Sequence, residues 1–200
     1  MQIPSEIKTL SDLLSSLPSI GPKLSNRLAL YLSVTRKDLA KKLTESLAEV
    51  AANIRTCKNC GNVTTSEICE ICADDQRDQH LILVVEDALD LFNFESTNDY
   101  KGLYHILGGV ISPINGIGPK DLTIDKLIAR IKDLDVKEVI FALNPNVEGD
   151  STSLYLKNEI QNRYPEVKIT RLAKGVPGGS DLEFASSQTL IDSMRSRVEL

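Results

Sequence analysis

Apolar residues recur at helical spacing through the first quarter of the chain and in short continuous runs after it. Ile7, Leu10, Leu13, Leu14 and Leu17 lie three or four apart, which predicts a helix that Ser5 can cap. Leu17-Pro18-Ser19-Ile20-Gly21-Pro22-Lys23 reads as a tight turn. Pro22 suits the first position of a second helix, on which Leu24, Leu28 and Leu32 share a face. A third helix is predicted over about 36–55, where Leu39, Leu43, Leu47, Val50 and Ile54 form one packing stripe. From residue 81 the pattern changes. Residues 81–85 are continuously apolar, as in a strand buried on both faces, and the run ends in Glu86-Asp87. Further strands are predicted at 103–107, 138–143 and 167–172, and helices at 122–134, 151–164 and 187–197. Strands alternating with helices predict a mostly parallel sheet flanked by helices, an α/β body behind a helical head.

All four cysteines stand between these two patterns, as Cys57-Lys58-Asn59-Cys60 and Cys69-Glu70-Ile71-Cys72. Two such knuckles supply four thiolates at tetrahedral geometry, the donor set of one structural zinc ion per chain. A closed four-cysteine site keeps no open coordination position, so it holds structure and does not catalyse. The alternatives are two separate redox pairs or a disulfide framework; the polar N-terminus, with no export signal, argues against the latter. The expected organisation is a helical domain at 1–56, a zinc finger at 57–79, the α/β domain at 80–175 and a tail at 176–200 that contacts other subunits.

The net charge of −5 hides an asymmetry. Residues 1–56 carry 8 Lys/Arg against 5 Asp/Glu, residues 57–80 carry 2 against 5, and residues 81–200 carry 13 against 18. A phosphate backbone would therefore meet the head. No apolar run is long enough to cross a bilayer, and a cytoplasmic protein is expected.

The turn at Gly21 resembles a helix-hairpin-helix motif. There, hairpin N–H groups and the positive end of the second helix meet a phosphate. Gly21 matches the second glycine of the usual Gly-x-Gly, and Ser19 stands at the first. Lys23 and Arg27, four apart on one face, would add charge-assisted contacts. Such contacts carry no sequence information, so binding is expected to be non-specific and salt-sensitive. An ordinary helical hairpin is the alternative.

Glu86 together with Asn144-Pro145-Asn146-Val147-Glu148-Gly149-Asp150 resembles a toprim domain, the fold shared by topoisomerases, primases and certain nucleases. Glu86 matches the acid that ends the first strand. Asn144 and Asn146 stand where that family has an Asp pair. An amide brings no charge to Mg2+ and cannot act as a general base. Glu86, Glu148 and Asp150 would then hold Mg2+ weakly or dock a partner. Tyr155 reads as a packing residue of its helix, not a nucleophile. The loop at 175–180 is glycine-rich without the pattern of a phosphate-binding loop, and reads as flexible or subunit-contacting. His80 and His105 are isolated and read as structural.

In this order, the parts closely resemble the RecR family of bacterial recombination mediators over essentially the whole chain. The matching stretches are 17–29, the four cysteines, 104–109, 114–119, 144–149 and 170–183, and the Asn-for-Asp exchange looks like the family's own pattern. The resemblance implies a non-enzymatic protein that forms clamp-like dimers and tetramers on single- and double-stranded DNA. It implies action with RecO and RecF to load the strand-exchange recombinase onto SSB-coated single strands at gaps, near the nucleoid. The competing class is a toprim-type magnesium-dependent nuclease or primase-like enzyme.

Overall fold

Two compact units divide the chain, Met1–Ile54 and Arg55–Leu200. The computed structural model describes residues 3–199; residues 1, 2 and 200, at the ends of the expected first and last segments, lie outside the described residues.

The first unit holds α1 (Ser5–Ser15), α2 (Pro22–Leu30), a π-helical turn over Tyr31–Thr35, and α3 (Lys37–Asn53). Pro22 opens α2 as expected. Ser5, however, lies inside α1 and does not cap it. Pro4 takes the cap, its carbonyl accepting from Ile7 N and Lys8 N at 3.1 Å, and the Ser5 hydroxyl turns to Glu6. The helix pair closes on small residues: Ser11 and Ser25 are buried with their hydroxyls 3.0 Å apart, and Ala29 is fully buried. Small side chains let two backbones approach closely, which leaves the larger leucines outside the contact. Leu13, Leu17 and Leu24, expected on inward faces, are exposed. Along α3 no residue is buried, and Leu47 of the predicted stripe is 66% exposed. The periodicity predicted the helix; it did not predict that one chain would leave the stripe uncovered.

The second unit begins with a two-stranded ribbon, β1 (Arg55–Thr56) and β2 (Val63–Thr64), and the short α4 (Glu70–Ala73). Its sheet is β3 (Asp78–Val85), β4 (Gly102–Ile106), β5 (Glu138–Ala142) and β6 (Lys168–Arg171), in the order β4-β3-β5-β6 and parallel throughout. Helices α5 (Ala88–Ser96), α6 (Ile124–Asp133) and α7 (Val147–Arg163) flank it, and α8 (Ser187–Arg195) lies in the C-terminal segment. The β3 run is buried on both faces, as its unbroken apolar sequence requires. Ile82 and Val84 join Leu127, Ile131, Leu156 and Ile160 on one side. Leu83 and Val85 join Leu91, Tyr104 and Ile71 on the other.

Two elements depart from the sequence pattern. α5 has only Leu91 buried, so it shows no stripe; the Asp87 carboxylate starts it by accepting from Leu89 N (2.8 Å) and Asp90 N (3.1 Å). α7 begins at Val147, four residues before the expected start, because the Asn146 side chain caps it by accepting from Gly149 N (2.8 Å). Tyr155 lies off its packing face, which Thr152, Leu156 and Ile160 make, and is partly exposed.

β4 is an edge strand, and an edge offers unpaired backbone groups. Here they meet partners from outside the sheet. Arg77 Nη1 donates to Gly102 O (3.1 Å), Arg130 Nη1 to Tyr104 O (2.7 Å) and Thr123 Oγ1 to Ile106 O (2.7 Å), while Ile106 N donates to Cys60 O (2.8 Å). His105, on the same strand, is buried and structural, as expected. Arginine only donates, so Nδ1 accepts from Arg130 Nη1 (3.2 Å) and the proton sits on Nε2, facing Thr123 O and Oγ1. Burial first, and Arg130 second, push its pKa down to about 3. Below the ordinary histidine range near pH 6.5 the unfolded chain takes up a proton that the folded chain refuses. Stability is therefore full above that pH and falls as pH drops toward the folded value. Between about pH 7.5 and about pH 5, urea titration is expected to show a loss of roughly 2 kcal/mol that His105→Asn removes. Equal losses in both proteins would disprove the assignment.

Candidate functional site

The four cysteines converge as their spacing predicts. Their sulfurs all lie within 4.8 Å of one another, and Cys60 Sγ is 3.6 Å from Cys69 Sγ. A tetrahedron of sulfurs about 2.3 Å from zinc has edges of about 3.8 Å, and a disulfide would need about 2.05 Å. All four are free thiols; three are buried and Cys72 is partly exposed. Among the described residues this is the single cluster of three or more His, Cys, Asp or Glu side chains close enough to share an ion. Backbone amides support the sulfurs: Asn62 N donates to Cys60 Sγ (3.4 Å) and Cys69 N to Cys57 Sγ (3.3 Å). Left to themselves the thiols compete for one negative charge. Donation from Cys60 and Cys72 pulls Cys69 well below the usual thiol range; Cys69 in turn pushes Cys60 up to about 12, and Cys60 pushes Cys72 up. Only a cation lets all four ionise together, so the donor set fits zinc, which would supply a cross-link between the knuckles.

Lys23 stands in the first turn of α2, and Arg27, one turn further on, stands in its last. Lys23 and Arg27 are exposed and make no ion pair among the described residues. Gly21 is the cap of α2 in extended conformation, and a side chain there would meet nothing within 4 Å. The left-handed residue of the turn is Ser19, at φ 65°. The turn's strain thus falls on Ser19, and Gly21 leaves open space before the helix end.

The acids at the strand ends are each engaged separately. Glu86 Oε1 accepts from Asn144 N (2.6 Å). Glu148 Oε1 accepts from Ser112 Oγ (2.5 Å), whose loop carries the almost fully exposed Ile114. Asp150 pairs with Lys174 at 2.6 Å and more loosely with Arg171. The structure does not gather the three into one ligand cluster. The face is nonetheless acidic: burial, then Asp87 and Glu86, hold the Asp90 carboxyl above its usual range. Ser112 and Lys174 were missed by sequence reasoning, since each acts through a fold contact from a distant segment. The loop at 175–180 opens against α8, with Val176 N donating to Ser193 Oγ (2.8 Å). Nδ1 of His80 faces the Leu134 and Asp135 carbonyls at 3.1 and 3.0 Å, a structural role.

A basic helical hairpin, a four-cysteine finger and a toprim-like parallel sheet define a class of multi-part DNA-associated protein. Family models agree part by part: the RecR helix-hairpin-helix matches residues 7–51, the RecR zinc finger domain of four cysteines 54–74, and the Toprim domain 80–173. The protein named Recombination protein RecR in Bifidobacterium longum subsp. infantis is 47% identical over 193 residues, 96% of either chain. Its namesake in Staphylococcus haemolyticus is 42% identical over 200 residues and the whole of both chains. That of Rubrobacter xylanophilus is 44% identical over 187 residues, 94% of this chain and 93% of the relative. The chain belongs to the RecR family of recombination proteins.

Gly149 fixes the loop at the strand end. A Cβ there would lie 2.1 Å from Asn144 O, a backbone atom that cannot step aside alone. Gly149→Ala is expected to lower unfolding free energy by roughly 3 kcal/mol, read by urea titration on far-UV circular dichroism. A change below about 0.5 kcal/mol would show that the loop is free to move.

Proposed function

We propose that the protein is a non-enzymatic recombination mediator. It would bind single- and double-stranded DNA without sequence preference through Gly21, Lys23 and Arg27, and act as a clamp of dimers or tetramers. With RecO and RecF it would help load the strand-exchange recombinase onto SSB-coated single strands at gaps, in the cytoplasm at the nucleoid. The carrying observation is the pair Asn144 and Asn146. These are amides where toprim catalysis uses carboxylates, and Asn146 is taken up as a helix cap. The α3 stripe supports assembly, since Leu43, Leu47, Val50 and Ile54 need a cover that one chain does not provide. One hairpin offers few phosphate contacts; several in a ring raise the effective concentration of each next one. The four cysteines hold one structural zinc. Glu86 and Glu148 form a docking face for a basic partner; with no Asp pair and no gathered ligands, a weak Mg2+ at Glu86, Glu148 and Asp150 is the lesser use of these acids.

Lys23→Ala with Arg27→Ala should weaken DNA binding at least about tenfold and lower the slope of log K against log salt by about two per engaged hairpin, by fluorescence anisotropy. An unchanged slope would remove these side chains from the interface.

Glu86→Gln with Glu148→Gln should slow RecO association several-fold at low salt while DNA affinity holds, by biolayer interferometry. Magnesium-dependent cleavage of labelled DNA or primer synthesis that Glu86→Ala abolishes would replace the mediator reading with the enzyme reading.

A further inference from the structure

The zinc knuckle and the acidic face share one strand end. Cys60 O accepts from Ile106 N at 2.8 Å, capping the last outward amide of β4. Gly61, at φ 81°, lies flat on the same residue: a Cβ there would be 3.4 Å from both Ile106 Cβ and Ile106 O. Ile71, between two zinc ligands, packs against the sulfur cluster on one side and the Leu83–Tyr104 core on the other. The two residues after Ile106 then reach the neighbouring strand. Leu107 N donates to Val85 O (2.9 Å) and Gly108 N to Glu86 O (3.0 Å). The Glu86 side chain in turn holds Asn144 N. An unbroken series of short contacts therefore runs from a zinc ligand to the backbone and side chain of the first acid of the docking face.

We propose that the four-cysteine centre is a buttress for the acidic face, with Cys60 (through its carbonyl) and Ile71 as positioning residues. Without its ion the centre loses the bonds that tie the two knuckles together, so the knuckles part and Cys60 O leaves Ile106 N. The β4 end then loses its outer cap, and Gly108 loses its fixed reach to Glu86. The helix-hairpin-helix lies in the first unit and carries none of these contacts. The functional half of this proposal rests on the docking reading above; the structural half does not.

The test is hydrogen–deuterium exchange with mass spectrometry on the full chain, zinc-loaded, chelator-stripped and zinc-restored. Stripping should speed exchange about tenfold at Ile106, Leu107 and Gly108 and leave Val139 and Phe141 of β5 and the amides of α2 within about twofold, with restoration by zinc alone. Faster exchange confined to 55–75 would overturn the buttress. So would uniform loss of protection across β5 and β6, because the ion would then act on the whole fold. Ile71→Ala keeps all four thiols and separates metal loss from coupling. With one zinc per chain by elemental analysis, it should show the same local speeding; wild-type exchange in this loaded variant would remove Ile71 from the path. RecO affinity is read on the same samples: faster exchange with lowered affinity supports both halves. Faster exchange with unchanged affinity keeps the buttress and overturns the docking reading.

Discussion

The outer edge of β4 is the constraint on which the second unit depends. A parallel sheet can end in an open strand only if that strand's unpaired groups are satisfied. Here they are satisfied by groups of very different origin. Arg77 comes from the segment after the zinc finger, Arg130 from α6, Thr123 from the loop before it, and the Cys60 carbonyl from the first knuckle. The same caps that stop the edge from recruiting another strand also bind the finger to the sheet. The four-cysteine centre thus belongs to the sheet it touches, which is why the ribbon falls in the second compact unit.

At the carboxyl ends of the strands, Asn144 and Asn146 bring no charge and each acid has a partner of its own. Glu86 and Glu148 are used to hold loops, one through Asn144 N and the other through Ser112 Oγ. Asp150 is neutralised by Lys174. A magnesium ion needs several free carboxylate oxygens to offset the loss of its hydration, and one oxygen of Glu86, one of Glu148 and both of Asp150 already have protein partners. What remains is an acidic surface with exposed apolar side chains such as Ile114 and Val147; in the proposed docking, charge would steer and apolar area would bind.

The first unit follows a different logic. Its helices meet through Ser11, Ser25 and Ala29, so little apolar surface is buried where they cross. Of the leucines that a sequence reading assigns to a core, Leu13, Leu17, Leu24, Leu43 and Leu47 remain exposed and Leu10, Leu14, Leu28, Leu32 and Leu39 are only half-buried. An apolar stripe of this length on a helix is costly in water. The proposed assembly with further copies would cover that surface, and would also multiply the hairpins available to DNA.

Much of this was legible in the residues. The four cysteines declared their cluster by spacing, since two short knuckles constrain four thiols wherever they fold. Pro22 set the start of α2 through its own ring, and the 81–85 run set a doubly buried strand because it offers no polar face. These are local properties, carried by covalent geometry and by the period of apolar positions. Other features are non-local. Which leucines are covered depends on how closely Ser11 and Ser25 let two helices approach. The start of α7 depends on Asn146 reaching Gly149. The state of each acid depends on partners 58, 36 and 24 residues away. Sequence by itself determined most of the elements, the metal donors and the family. Tertiary structure alone decided which charges are free and which strand the first cysteine knuckle touches, because a hydrogen bond or ion pair is set by distance in space and leaves no period along the chain.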